Sequence, residues 1–253
     1  MLNIVVPMAG AGRRFAEVGY KIPKPLIPIE EVPMIRLVIG NLRPTQQHRF
    51  IFVCQSAHVE RYNMKASLQN WASGAVVVEV DGLTEGAACS VLAAREFIAN
   101  EEALMIANSD QWVDVSIDDY LSAMTDSSVD GIIMTMTAND PKWSFVELDT
   151  NHFVKRVVEK EVISNEATVG IYNFRRGLDF VLGAEAMIRD NLRVNGEFYV
   201  APVFNMLIKD GYKVGIHNVG SEIAGMYGLG TPDDLNKFLK DPIHKRALAN
   251  VNA

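Results

Sequence analysis

Short apolar runs that alternate with stretches of helical periodicity predict an α/β protein with three layers, α/β/α, around a mostly parallel mixed sheet. In the first half of the chain, β-branched apolar runs are separated by periodic stretches at 58–71 and 86–99. After Asp130 the strand-like runs follow one another closely before helical character returns, which indicates a mixed half. Strands that alternate with helices need helices on both faces of the sheet.

The first predicted strand, at 3–8, is a β-branched run that ends in small residues and glycines, as expected of a buried parallel strand that leads into a loop. Similar runs predict strands at 49–55, 75–80 and 103–107. In the second half, strands are predicted at 131–137, 145–149 and 153–159, and helical character returns near Leu178 and Phe198.

The last helix has clear start signals, with Thr231 as N-cap, Pro232 at the first helical position and two acidic residues in the first turn. We expect this helix to end near Leu239 and the tail after Asp241 to be loosely held. No linker or repeat divides the chain, so 1–253 is expected to form one domain with two lobes, about 1–130 and about 131–240.

The charge balance argues against nucleic acid as a partner. The chain has 24 basic and 31 acidic residues, a net charge of −7, and no long basic run. No segment approaches the length of a membrane span, so no membrane association is expected. The two cysteines form no C-x-x-C pair, and the start of the chain does not resemble a signal peptide. A cytoplasmic protein with reduced thiols is therefore expected.

A glycine-rich loop follows the first strand, and its backbone N–H groups could bind phosphate oxygens. Its sequence is Ala9-Gly10-Ala11-Gly12-Arg13-Arg14-Phe15. A tight strand-to-helix turn explains the loop equally well. A dinucleotide-binding fingerprint fits less well, because its third glycine would fall on Phe15 and no acidic residue ends the second strand, at Cys54-Gln55.

The residues that follow make the pattern specific, since Lys24-Pro25-Leu26 and Pro33-Met34-Ile35 come next. From residue 7 to residue 42 the chain resembles the sugar-phosphate nucleotidyltransferase family, and weaker similarity continues along nearly the entire chain. The resemblance implies a Rossmann-like nucleotidyltransferase fold of the GT-A-like type. It also implies catalytic roles for Arg14 and Lys24, whose positive charges would stabilise phosphate oxygens during transfer.

The same match implies that the loop binds the nucleotide through Met8, Ala9, Gly10, Ala11, Gly12 and Arg13. Arg13 stands where the family usually carries a small residue. Further along, the segment 79–88 resembles the family's base-binding turn, which assigns Gly86, Ala87 and Glu79 to the nucleotide. Glycines that make a turn and alanines that let helices pack closely would account for this segment structurally.

Asp110 ends a buried strand at the edge where open α/β sheets bind ligands. It matches the family's metal aspartate and is the predicted ligand of Mg²⁺, which prefers carboxylate and phosphate oxygens. Capping of the following turn is the alternative role for this residue. The family's second metal aspartate falls on Gly228, with Glu222 as a candidate substitute. The five histidines lack zinc-site spacing.

The acceptor side is implied by resemblance alone. Glu159 would bind hydroxyls or an amine of the acceptor, and Lys160 would bind its phosphate. Gly170 and Glu197 fall on further acceptor positions, and Ser144 replaces a glycine that is usual in enzymes acting on hexose phosphates. Trp143 beside it could close part of the pocket.

The resemblance therefore implies a magnesium-dependent enzyme that joins a nucleoside triphosphate to a small phosphorylated metabolite and releases pyrophosphate, in sugar-nucleotide, polysaccharide or lipid precursor synthesis. A glycosyltransferase is less well supported, because its Asp-x-Asp motif is absent at Asn108-Ser109-Asp110. Gly228 leaves a non-catalytic nucleotide-binding protein as a third class. The sequence does not identify the base or the acceptor. It also leaves open whether the protein is a monomer or a homo-oligomer.

Overall fold

The computed structural model describes residues 1–249 and residue 251. In this part of the chain, eleven strands form one sheet and two form a separate hairpin. The strands are β1 (Leu2–Pro7), β2 (Pro28–Ile29), β3 (Val32–Pro33), β4 (His48–Gln55), β5 (Val76–Val80), β6 (Ala103–Ala107), β7 (Gln111–Val113), β8 (Gly131–Thr137), β9 (Ser144–Leu148), β10 (Val154–Glu159), β11 (Glu166–Phe174), β12 (Val214–Glu222) and β13 (Gly225–Gly228).

The helices are α1 (Arg13–Glu17), α2 (Met34–Leu42), α3 (Ser56–Tyr62), α4 (Met64–Trp71), α5 (Ala87–Leu92), α6 (Arg95–Ile98), α7 (Ile117–Asp126), α8 (Gly177–Arg189), α9 (Val203–Lys209), α10 (Pro232–Lys240) and α11 (Ile243–Ala249). A 3₁₀ turn covers Lys24–Leu26. None of these helices, within the described residues, is long and apolar enough to cross a membrane.

The main path of the large sheet has the order β5-β4-β1-β6-β11-β8-β12-β13-β7. Strands β5, β4, β1 and β6 are parallel, whereas β11 runs antiparallel to both β6 and β8. The prediction of a mostly parallel mixed sheet is confirmed. Because β1 lies between β4 and β6, the connections diverge beside it, and such a switch point leaves a crevice at the carboxyl ends of the strands.

Two hydrophobic cores lie on opposite faces of the sheet and make the three layers. One face packs against α2, α3, α4 and α7. The other packs against α5, α6, α8 and α9. A third, smaller core joins α10 and α11 to the hairpin and includes Phe15, Trp112 and Phe238.

Most predicted elements form near their expected bounds, with four differences. The stretch 86–99 is two helices, α5 and α6. The stretch 58–71 is two helices, because Asn63 adopts a left-handed conformation with φ 48° between them. The helix expected near Phe198 begins at Val203. The prediction of a loosely held tail is wrong for the described residues, because Ala247 of α11 is 1% exposed and His244 Nε2 lies 3.0 Å from Glu30 Oε1.

Candidate active site

A cavity of about 440 Å³ opens at the carboxyl ends of β1 and β6. The loops that follow β1, β5 and β6 form most of its wall. Its lining residues are Pro7, Ala9, Gly10, Ala11, Gly12, Arg13, Arg14, Phe15, Lys24, Leu83, Thr84, Gly86, Ala87, Ser90, Asn108, Ser109, Asp110, Glu197 and Gly230. The cavity therefore gathers the predicted phosphate loop, both predicted basic residues and the predicted metal aspartate.

The glycine-rich loop is held open by its own backbone conformation and by one side chain. Gly12 has φ 61°, a left-handed conformation that favours glycine, and the Gln55 amide donates a 2.7 Å hydrogen bond to the Ala9 carbonyl. A Cβ at Gly12 would lie 3.6 Å from Cβ of Lys24, so the loop packs directly on that lysine.

Lys24 and Asp110 form an ion pair in the cavity wall, with 2.7 Å between Lys24 Nζ and Asp110 Oδ2. Their side chains are 25% and 23% exposed. The Asp110 carbonyl accepts a 2.8 Å hydrogen bond from the Leu229 amide, and a Cβ at Gly230 would come within 2.5 Å of Asp110 Oδ2. The glycine at 230 thus leaves the room that this carboxylate occupies.

The predicted base-binding turn is clamped by the segment around Phe198. The Phe198 amide donates to the Glu85 carbonyl, and the Ala88 amide donates to the Phe198 carbonyl, at 2.9 and 3.0 Å. The Arg193 guanidinium pairs with Glu85 and lies 4.1 Å from the centre of the Phe198 ring. Gly86 has φ 130°, and a Cβ there would meet the Phe198 backbone at 2.4 Å, so only glycine fits.

Three predicted acceptor residues, Ser144, Lys160 and Glu197, lie around the half-buried carboxyl group of Glu159. Ser144 donates a hydrogen bond to Glu159. Burial raises the pKa of Glu159, the Ser144 hydrogen bond and the Lys160 charge lower it, and the Glu197 charge raises it further. The Lys160 ammonium donates a 2.7 Å hydrogen bond to the Tyr199 hydroxyl and lies 4.8 Å from the centre of that ring.

Gly170 connects this region to the cavity. It has φ 83° within an irregular part of β11, and its carbonyl accepts a 2.9 Å hydrogen bond from the Asn108 amide. A Cβ at Gly170 would overlap the Asn108 side chain at 2.1 Å and approach Gln111 Oε1 at 2.8 Å. The buried Gln111 Nε2 has no hydrogen-bond partner among the described residues, which leaves a free hydrogen-bond donor beside Gly170.

Two of the predicted nucleotide residues do not line the cavity. Met8 is 5% exposed and packs in one of the sheet's cores, and Glu79 is an exposed residue of β5. Their assignment stays a prediction.

Sequence reasoning gave no role in the site to eight of the residues that line the cavity: Pro7, Phe15, Leu83, Thr84, Ser90, Asn108, Ser109 and Gly230. The hydroxyl oxygens of Thr84 and Ser90 are 2.6 Å apart. Asn108 and Ser109 directly follow β6, and their position beside Asp110 was the feature of the sequence that could have assigned them to the site.

The cavity fits a magnesium ion that brings phosphate oxygens with it, and not a closed site built from protein ligands. No group of three or more His, Cys, Asp or Glu side chains in the described part of the chain could hold a metal ion. Glu222 does not line the cavity, and its Oε1 binds Lys142 Nζ at 2.9 Å. A Cβ at Gly228 would lie 3.7 Å from the Asp234 carboxyl group, which also accepts a 2.7 Å hydrogen bond from the Thr231 hydroxyl. The carboxylates that line the cavity are those of Asp110 and Glu197, and Asp110 stays the predicted magnesium ligand.

Comparison with known protein families identifies the family to which this chain belongs. The model of the nucleotidyl transferase family matches residues 4–195. The chain belongs to that family. The resemblance to sugar-phosphate nucleotidyltransferases is therefore confirmed. Among curated proteins, the chain is similar to the bifunctional protein GlmU of Methanococcus aeolicus, with 22% identity over 239 residues, and to GlmU of Methanococcus maripaludis, with 24% identity over 260 residues.

The chain spans about half the length of these curated relatives, 53% and 56%, while they match 92% and 96% of the chain. Among solved structures, a nucleoside-diphosphate-sugar pyrophosphorylase from Vibrio cholerae aligns with a TM-score of 0.80 at 22% identity, over 94% of this chain and 100% of that one. The inositol-1-phosphate CTP transferase from T. maritima aligns with a TM-score of 0.75 at 15% identity, over 98% and 95%. At these identities the structural matches establish the shared fold.

Proposed function

We propose that this family member transfers a nucleoside monophosphate from a nucleoside triphosphate to a small phosphorylated acceptor, in the cytoplasm. The acceptor is a sugar 1-phosphate or a phosphorylated alcohol, amine or amino acid. The single observation that carries the proposal is the Lys24–Asp110 pair at 2.7 Å, in a cavity whose facing wall is the glycine-rich loop. A cation, a carboxylate and free backbone donors at one place are what phosphoryl transfer requires.

In the proposed reaction, an oxygen of the acceptor phosphate attacks the α-phosphorus. The bond between that phosphorus and the oxygen leading to the β-phosphate breaks, and its electron pair leaves with pyrophosphate. Because the attacking phosphate is already ionised, the protein acts mainly by positioning and by charge stabilisation. Arg14 and Lys24 stabilise the negative charge on the phosphates, and Gly10, Ala11 and Gly12 contribute backbone N–H groups.

Asp110 is the proposed magnesium ligand, and the ion would supply charge neutralisation to the phosphates. Gly86 and Ala87 contact the base and ribose through their backbone. The residues 1–130 form the nucleotide lobe of the proposed single domain, and the residues 131–240 form the acceptor lobe.

On the acceptor side, Glu159 and Glu197 bind hydroxyls or an amine of the acceptor. The Lys160 ammonium moves away from the Tyr199 hydroxyl to bind the acceptor phosphate. The Ser144 hydroxyl holds the Glu159 carboxyl group in place. Two features support this assignment: the half-buried Glu159 carboxyl has a hydroxyl donor beside it, and Glu197 lines the cavity. Gly170 keeps the path between Asn108 and the acceptor residues open, since any side chain there would overlap the Asn108 amide.

The test is a matrix of the four common nucleoside triphosphates against candidate phosphorylated metabolites, read by pyrophosphate release with magnesium present. We expect pyrophosphate release that requires one triphosphate and one acceptor together, and that is lost in Asp110→Asn.

Gly228 favours a second candidate, a nucleotide-binding protein that does not catalyse transfer. Triphosphate binding without pyrophosphate release for every acceptor would support that candidate instead.

A further inference from the structure

The edge strands of the large sheet differ in how their outer backbone groups are covered. Strand β10 pairs with β9, its register shifts between Val154 and Arg156, and it carries adjacent cations at Lys155 and Arg156. The Asn205 side chain of α9 donates to the Val157 carbonyl and accepts from the Val157 N–H, both at 2.8 Å. Irregular pairing, charges and a covering group all keep an edge strand from pairing with another chain.

Strand β7, at one end of the main path of the sheet, is protected in a similar way. It is three residues long, and a short strand offers little backbone to a partner. The Asn41 side chain of α2 makes the same pair of 2.8 Å hydrogen bonds to the N–H and the carbonyl of Val113. An asparagine from a neighbouring helix therefore covers part of each of these two edges.

Strand β5, at the other end of the path, has none of these protections within the described residues. It pairs with β4 in a regular register over 76–80, and its sequence, Val-Val-Val-Glu-Val, contains no Lys, Arg or Pro. The Gln69 amide donates to the Ala75 carbonyl at 3.3 Å, and the Ser56 hydroxyl donates to the Val80 carbonyl at 3.2 Å. Between these two contacts, no described residue hydrogen-bonds to the outer backbone of 76–79.

The side chains of β5 are also less covered than those of its neighbour. The four valines of β5 are half-buried, whereas the residues 50–54 in the middle of β4 are at most 2% exposed. Unpaired backbone groups and partly exposed apolar side chains therefore lie together along one edge. Another β-strand is the partner that would satisfy both.

We propose that β5 is an interface between two copies of this chain, which pair β5 with β5 in antiparallel orientation about a two-fold axis at Val78. A second copy fits because the valine pattern reads the same in both directions around that residue. Val76 then lies opposite the partner's Val80, and Val77 lies opposite the partner's Glu79, so no two like charges face each other directly. An axis at Glu79 would place two carboxylates opposite each other.

This pairing joins the cores of the two copies on one face. Val76, Val78 and Val80 pack on the core beside α5, and residues directly opposite each other in an antiparallel pair share a face of the sheet. The valines of both copies would therefore form one continuous apolar row. A five-residue strand gives a small interface, below about 1,200 Å² of buried surface, so the dimer should be reversible, with a Kd of about micromolar order.

The inference goes beyond the proposed function and does not depend on it. The cavity opens at the ends of β1 and β6, and β4 lies between these strands and β5. Self-association and pyrophosphate release are therefore measured separately, and the failure of one leaves the other standing.

Sedimentation velocity over a concentration series that spans the micromolar range tests the association. The proteins are the wild type, Val78→Lys, Val78→Glu and Leu182→Lys. Val78→Lys places two ammonium groups opposite each other at the axis. Leu182 is the matched control, because it is a 55% exposed leucine on α8 and not on the β5 edge. The thermal midpoint of each variant checks that it is folded.

We expect the wild type to dimerise reversibly and Leu182→Lys to match it. Val78→Lys and Val78→Glu should each dimerise about tenfold more weakly or worse, and an equimolar mixture of the two should recover the dimer, since opposite charges then face each other. A wild type that stays monomeric throughout the series would overturn the inference. Dimerisation of folded Val78→Lys as strong as that of the wild type would also overturn it.

Cysteine cross-linking tests the register with a change small enough to keep the strand intact. Val78→Cys should give a disulfide-linked dimer under mild oxidation, because opposite Cα atoms in an antiparallel pair are about 4.5–5.5 Å apart. Val76→Cys is the control, because its two copies would be about 13 Å apart along the strands, which is beyond the reach of a disulfide. The wild type measures the background from the partly exposed Cys89. Equal cross-linking of the two variants, or none above that background in either, would reject the pairing.

Discussion

Replacing Lys24 with methionine should have opposite effects on magnesium binding and on turnover. The Lys24 ammonium pairs with the Asp110 carboxylate, so a magnesium ion at the proposed site would have to displace it. In the proposed transfer the same ammonium would stabilise the negative charge on the phosphates. Methionine keeps the aliphatic stem that packs on Gly12 and removes only the charge.

The size of both effects follows from the geometry. A pair of charges 2.7 Å apart interacts by about 6 kcal/mol at an effective dielectric constant of about 20. About a quarter of each side chain is in water and each ion gives up hydration, so the net value falls to about 1–1.5 kcal/mol. Magnesium affinity of the free protein should therefore rise about tenfold. Turnover should fall about a hundredfold to a thousandfold.

The assay pairs two measurements on the same protein: calorimetric titration of magnesium without nucleotide, and pyrophosphate release with nucleotide and acceptor. Lys21→Met is the matched control and should change neither. The thermal midpoint of Lys24→Met should shift by a few degrees at most. Unchanged magnesium affinity would show that the ion pair does not protect Asp110, and full turnover would remove Lys24 from the site.

Four further changes test other parts of the account. Lys160→Ala should raise the acceptor KM and leave the triphosphate KM unchanged; the reverse pattern would mean that the two sides are exchanged. Asp110→Asn should abolish transfer in a protein whose circular dichroism is unchanged, and an active variant would place the metal elsewhere. Gly86→Ala should lower the free energy of unfolding by about 2–4 kcal/mol in urea titration, because its Cβ would meet the Phe198 backbone at 2.4 Å; a neutral effect would contradict the clamp. Burial raises the pKa of Glu159 above its ordinary 4.5, so its carboxyl group contributes stability below about pH 4.5 that is lost as the pH rises through the raised value. The thermal midpoint of Glu159→Gln should therefore rise relative to that of the wild type as the pH increases from about 4.5 through the raised pKa, and parallel profiles of the two proteins would count against the raised pKa.

The sequence predicted the parallel half of the fold well because buried strands carry a strong local signal. The run before Gly10 is apolar and β-branched, the run before Asp110 is apolar, and they form β1 and β6 as expected. Since the carboxyl ends of neighbouring parallel strands share one edge, the meeting of the glycine-rich loop with Asp110 could also be expected.

Long-range contacts were beyond the reach of sequence patterns. The tail was expected to be loosely held because its anchor cannot be seen in the local sequence. That anchor is the contact of His244 with Glu30, which lies over two hundred residues away in the chain. The clamp of Phe198 on Gly86 and the overlap that keeps position 170 a glycine are also contacts between distant segments. Periodicity reports which face of an element is buried, but it carries no information about which distant backbone packs against it.

Pairing of charges was likewise invisible in sequence. Lys24 and Asp110 were assigned separately, and their ion pair emerges only when the 3₁₀ turn and the end of β6 meet. Glu222 was a candidate metal ligand by position along the chain, yet its carboxylate is bound to Lys142.

The central claim is tested most directly by following the nucleoside triphosphate and the acceptor together, with phosphorus NMR of a reaction that contains the pair found in the substrate matrix. The account predicts that the α-phosphorus signal converts to that of a diphosphate linked to the acceptor, while an equal amount of pyrophosphate appears, and that neither change occurs in Asp110→Asn. Appearance of inorganic phosphate and nucleoside diphosphate, with no linked product, would contradict it, because the bond broken would then be the one to the γ-phosphorus.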